Sequence, residues 1–95
     1  MISSTTRELL SIACEGICKR CGIPRVCFGH EVDGELTLDA SYGDPNSLPL
    51  ERTDVAPGFI LLWQGTLEQS CKERIMGDLR PLAQRVTEEI GRECV

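Results

Sequence analysis

Long apolar runs are missing from this sequence: the longest, Phe59 to Trp63, falls far short of the roughly 20 residues a bilayer-spanning helix needs. No basic segment followed by an apolar core stands at the N-terminus, so no export signal is read and a cytoplasmic protein is expected. Positive charge is also scarce, with 10 Lys and Arg against 15 Asp and Glu and a formal charge of -5. Such a surface repels phosphate backbones and anionic lipids, which argues against nucleic acid and membrane as partners.

Phosphate-cradling glycines are absent too, since Gly34, Gly43 and Gly58 are isolated and none opens a helix after a strand. Asp33, Glu35, Asp39, Asp44, Glu51 and Asp54 lack the spacing of a calcium loop and read as a solvated acidic surface. His30 is the one histidine. As a general base it would need an orienting carboxylate and a nucleophile, and no serine or cysteine stands in a recognisable nucleophile context. No repeat or low-complexity tract occurs.

What is present is the composition of one packed core: 95 residues, 41% hydrophobic and 26% charged, interspersed along the chain. A single domain over residues 1–95 is expected. Thr5-Thr6-Arg7-Glu8 is a capping box, and Leu9, Leu10, Ile12, Ala13, Ile17, Cys18 and Cys21 follow at helical spacing until Gly22 and Pro24. This predicts a helix near residues 5–21.

From Arg25 the period becomes two. Val26, Phe28, His30 and Val32 share one face, and Leu36, Leu38, Ala40 and Tyr42 do so after Asp33-Gly34, a pair suited to a type I′ hairpin turn. Residues 43–58 carry Gly43, Pro45, Asn46, Pro49, Pro57 and Gly58 and read as a surface loop. Phe59 to Trp63 suits a central strand covered on both faces. Thr66-Leu67-Glu68-Gln69 is a second capping box, opening an amphipathic stretch through Ile90. Pro81 predicts a break at Gly77-Asp78, with a short helix to about Met76 and a longer one from Leu79. The expected fold is α+β in two layers: an N-terminal helix, a small three-stranded antiparallel sheet and a C-terminal helix.

The six cysteines, without an export signal, read as buried thiols or as thiolates for metal or redox chemistry before they read as disulfide staples. Cys14, Cys18 and Cys21 form C-x-x-x-C-x-x-C, a spacing used by iron–sulfur radical enzymes, whose barrel a chain this short cannot hold. Cys27 offers a fourth thiolate for zinc or a cluster. A straight helix spreads the first three sulfurs over roughly 10 Å, so binding one ion would require unwinding at Gly16. The simpler expectation places all three in the buried stripe of the helix; Cys71 reads as core and Cys94 as accessible.

The string RVCFGHEVDGELTLDASYGDP, with its acidic-Gly turn and "L.L.AS.G.P" ending, resembles the first hairpin of GAF domains, the small-molecule-sensing modules of signalling proteins. The tail FILLWQGTLEQSCKERIMGDLRPLAQRVTEEI is similar to their last strand and closing helix. The resemblance covers about residues 5–43 and 59–91 and implies a reduced GAF-like domain lacking the elements that wall the ligand pocket. GAF domains associate through their terminal helices, and both are retained. The implied function is a non-catalytic regulatory or protein-interaction module, a homodimer or a small subunit of a larger assembly. No cofactor is expected; the alternative is an iron–sulfur or zinc site at Cys14, Cys18, Cys21 and Cys27 used for redox sensing. Whichever hairpin face the helices leave bare is expected to meet another chain, through apolar residues among Val26, Phe28, Leu36, Leu38 and Tyr42. A vestigial ligand pocket near Trp63 and His30 is the remaining expectation.

Overall fold

A computed structural model describes residues 2–48 and 51–93 of the chain. The elements run α1 (Ser4–Cys21), β1 (Arg25–Val32), β2 (Glu35–Gly43), β3 (Glu51–Ala56), β4 (Phe59–Gln64) and α2 (Gln69–Glu93). All neighbouring strands are antiparallel, in the order β2-β1-β4-β3. The α+β two-layer class is as expected, with one strand more.

The added strand corrects the reading of residues 43–58 as loop. Glu51, Arg52 and Asp54 gave β3 no apolar signal because it is an edge strand paired only with β4. Only its inward positions, such as Thr53 and Val55, are even partly buried. Pro57-Gly58 closes its hairpin, with Gly58 at φ 81°. The β1–β2 turn forms as expected, Asp33 and Gly34 both taking positive φ (54° and 82°).

Both helices lie on one face of the sheet, α1 over β1 and β2 and α2 over β3 and β4. Leu10, Cys14, Ile17 and Cys18 of α1 and Ile75, Leu79, Ala83 and Val86 of α2 meet Val26, Phe28, Phe59, Leu61 and Trp63. The Phe28 and Phe59 rings stack at the centre, 5.4 Å apart.

Three local expectations need correction. Helix α1 is capped by Ser3, whose Oγ accepts from the Thr6 N–H at 3.2 Å, rather than by Thr5. Thr6 is fully buried and occupied elsewhere. Ile12, one of the apolar residues at helical spacing, is 64% exposed. Finally, α2 runs unbroken through Pro81 and opens at Gln69, the last residue of the second capping box. Gly77, Asp78 and Pro81 are all exposed, so the carbonyl that Pro81 cannot serve is left on the solvent side. Burying Ile75, Leu79, Ala83 and Val86, at about 1.5–3 kcal/mol for each large side chain, outweighs the roughly 3 kcal/mol a mid-helix proline costs.

The antiparallel helix pair is fastened at both ends. At one end the Thr6 hydroxyl donates to Glu89 Oε2 and accepts from Arg85 Nε at 2.8 Å, while the Ser3 N–H donates to Glu89 Oε1 at 2.9 Å. At the other, Cys21 and Cys71 form a disulfide.

Candidate functional site: the cysteines, the His30–Asp39 pair and the uncovered sheet face

The cysteine set divides by depth. Cys14 and Cys18 hold the buried stripe of α1, as the simpler expectation placed them, and Cys27 is fully buried on β1; all three are free thiols. Burial pushes the Cys14 thiol well up, and the nearby Cys27 and Cys18 add to the shift. Cys18 is raised by the same desolvation and by Cys27. Its Sγ lies 3.7 Å from the Tyr42 carbonyl, a weak donor contact. Such surroundings favour neutral thiols over metal-binding thiolates.

Cys21 departs from the expectation. It sits at the last turn of α1, beyond the buried stripe, and is bonded to Cys71 on the first turn of α2 with a Cα separation of 7.0 Å. A sulfur held in a disulfide is no thiolate ligand. Among the described residues no group of three His, Cys, Asp or Glu side chains is placed to hold a metal ion. Cys14, Cys18, Cys21 and Cys27 therefore do not fit zinc or an iron–sulfur cluster. Cys71, expected in the core, is only partly buried; Cys94 lies outside the described residues.

His30 does lie on the Val26 and Phe28 face of β1, in register with Thr37 on β2 and Phe59 on β4. Its Nδ1 is 2.8 Å from Oδ2 of Asp39, with the two side chains 15% and 2% exposed. Asp39 is the extra residue of a bulge in β2, where Phe28 pairs with Ala40 and Gly29 with Leu38. The orienting carboxylate missing from the sequence reading is thus supplied by a bulge, which strict alternation does not register. Trp63 stands four residues from Phe59 along β4, packed in the core with Lys72 Nζ 5.6 Å from its ring centre. The structure does not bring Trp63 and His30 into one pocket.

The same bulge splits the apolar set of β2. Because a one-residue insertion flips every following side chain, Leu36 and Leu38 point to the helix-free face, while Ala40 and Tyr42 turn to the helix side. Val26 and Phe28, expected as interaction residues, are fully buried beneath the helices, which is a correction. Leu36, Leu38 and Tyr42 remain 40%, 54% and 39% exposed.

The helix-free face is partly dressed from within. Arg52 of β3, in register with Leu62 of β4, reaches Glu31 of β1 at 3.4 Å, and Ile60 of the intervening β4 is buried. Arg25 holds the carbonyls of Pro45 and Ser47 at 3.0 and 3.2 Å, tying residues 45–47 to the start of β1. Leu36 and Leu38 fold over Gly29. The β2 edge, with Leu36 and Leu38, stays open. On the outer side of the helix layer, Ile12, Ala13, Gly16, Ile17, Ile75 and Leu82 line an apolar groove of about 270 Å³.

No family model, curated protein or solved structure matches this chain. No helix among the described residues is long and apolar enough to cross a membrane.

Proposed function

We propose that this chain is a non-catalytic regulatory or protein-interaction module, a homodimer or the small subunit of a larger assembly, on a scaffold that resembles a reduced GAF domain. The observation that carries the reading is where large apolar side chains are left in water. Ile12 stands on the outside of the helix layer, and Leu36 and Leu38 stand on the helix-free face of β2. β2 is an edge strand, so its outer N–H and C=O groups have no ladder partner and can accept another chain.

The net charge of -5 favours a protein partner over nucleic acid or an anionic membrane. A cytoplasmic setting belongs to the proposal and fits the three free thiols among the described residues. In that setting the Cys21–Cys71 bond would be open to reduction by small thiols.

Light scattering from micromolar to about 1 mM, with mass spectrometry of the protein as purified, tests the reading. A concentration-dependent dimer or a stoichiometric second chain is the expected result. A monomer throughout, with no second chain, overturns it.

A further inference from the structure

Glu8, Ile12, Gly16 and Arg20 succeed one another at four-residue spacing and so form one ridge along α1. Glu8, Ile12 and Arg20 are exposed, and Ile12 is the most exposed large apolar side chain of the helix. Four residues on, the ridge drops. A Cβ placed on Gly16 would meet nothing within 4 Å, so Gly16 forms the floor of the groove flanked by Ile17, Ile75 and Leu82.

The ridge is complementary to itself when reversed. With a two-fold axis midway between positions 12 and 16, Ile12 of each copy stands opposite Gly16 of the other. The same axis sets Glu8 of each copy opposite Arg20 of the other. A protruding residue meets a hollow, and an acid meets a base, twice each. A parallel arrangement would instead oppose Glu8 to Glu8 and Arg20 to Arg20. Reversal symmetry of both shape and charge about one point is what an isologous interface requires.

We propose that α1 is the two-fold contact of a homodimer, with two copies of the helix crossing antiparallel about residues 12–16 and Ile12 seated in the partner's groove. This rests on the interaction reading above and names its partner, a second copy of this chain. The helices cross within roughly 20° of antiparallel, because a steeper angle carries Glu8 and Arg20 apart over the ~18 Å that separates them along the helix. Arg20 now contacts Asp78 at 3.2 Å, but both side chains are more than half exposed, so the guanidinium is free to be shared.

Sedimentation equilibrium on the full chain and on Glu8→Arg, Arg20→Glu and Gly16→Leu tests the geometry, with circular dichroism to confirm folding. Each charge reversal alone sets like charges in contact twice and should weaken the dimer by at least about tenfold. An equimolar mixture of the two single variants should recover near wild-type affinity, because their opposed residues are again Arg against Glu. Gly16→Leu should fold, since its side chain enters open space in the monomer, and should abolish the dimer. A wild-type dimer indifferent to the reversals, or unrescued by mixing, overturns this contact and leaves the interaction reading standing. A wild-type monomer that carries a stoichiometric different chain does the same. A monomer without any second chain overturns both.

Discussion

His30 and Asp39 are nine residues apart in the chain and are joined through Nδ1 and Oδ2 at 2.8 Å because a bulge inserts Asp39 into β2. Two polar groups buried to this degree depend on each other: removing one leaves the other desolvated and unpaired, at about 1–3 kcal/mol. Asp39→Ala is expected to cost that much in urea unfolding. A double-mutant cycle with His30→Ala isolates the pair. If Asp39→Ala costs the same with and without the histidine, the contact contributes nothing.

Gly29 and Gly16 make opposite predictions. A Cβ at Gly29 would lie 2.7 Å from the Thr37 carbonyl oxygen and 3.0 Å from Leu36 Cδ1, so backbone must move. Gly29→Ala should destabilise by about 1–3 kcal/mol, the range of overpacking. Gly16 is mid-helix with open space around it, and Gly16→Ala should stabilise by about 0.5–1 kcal/mol through helix propensity. Melting temperatures moving in the same direction for both would contradict the packing described.

The elements that the sequence made legible are those whose own residues carry the signal. The Asp33-Gly34 turn, the αL cap at Gly22 and the unbroken Phe59–Trp63 run depend on local chemistry, and each falls where expected. The misses share a different cause, in that tertiary context decided them. β3 is held by β4 despite a polar sequence, and α2 crosses Pro81 because its inner side is buried. The bulge at Asp39 decided the site. Alternation assigned Leu36, Leu38, Ala40 and Tyr42 to one face, and a single inserted residue sent the first two to the opposite side. Cys21 and Cys71 were read as buried helix residues, one in the stripe of α1 and one in the core; both are only partly buried and bonded to each other, a pairing that depends on how α1 and α2 lie together and that no local pattern encodes.

The Cys21–Cys71 bond closes a loop with a sequence separation of 50, for which chain entropy gives about 4 kcal/mol of stabilisation as an upper value. Reduction, or Cys21→Ser with Cys71→Ser, should therefore lower the melting temperature. The Arg20–Asp78 pair beside it cannot compensate, since exposed pairs contribute under about 1 kcal/mol. Hydrogen exchange should rise first at the last turn of α1 and the first turn of α2, where the tie is lost. An unchanged melting temperature on reduction would show that the bond plays no part in holding the helix layer.

Glu89 sets the pH response of the opposite end. The Thr6 hydroxyl bond holds its carboxyl below the ordinary value of 4.5, outweighing partial burial, with further help from Ser3 and the Arg85 charge. A depressed carboxylate contributes stability that is present above the unfolded-state value and is lost as pH falls through the folded-state value. The wild-type chain should accordingly lose stability as acid is added from pH 5 downward through this window. Glu89→Gln removes the titration, so its stability should start lower at pH 7 and fall less steeply over the same range. Thr6→Ala should reproduce the flattening, because it deletes the hydroxyl that favours the charged form, and should also cost stability at neutral pH by leaving Arg85 and Glu89 without their buried link. Thermal unfolding of the three proteins at half-unit steps of pH distinguishes these slopes. Parallel curves for all three would mean that Glu89 does not couple the N-terminus of α1 to the last turns of α2.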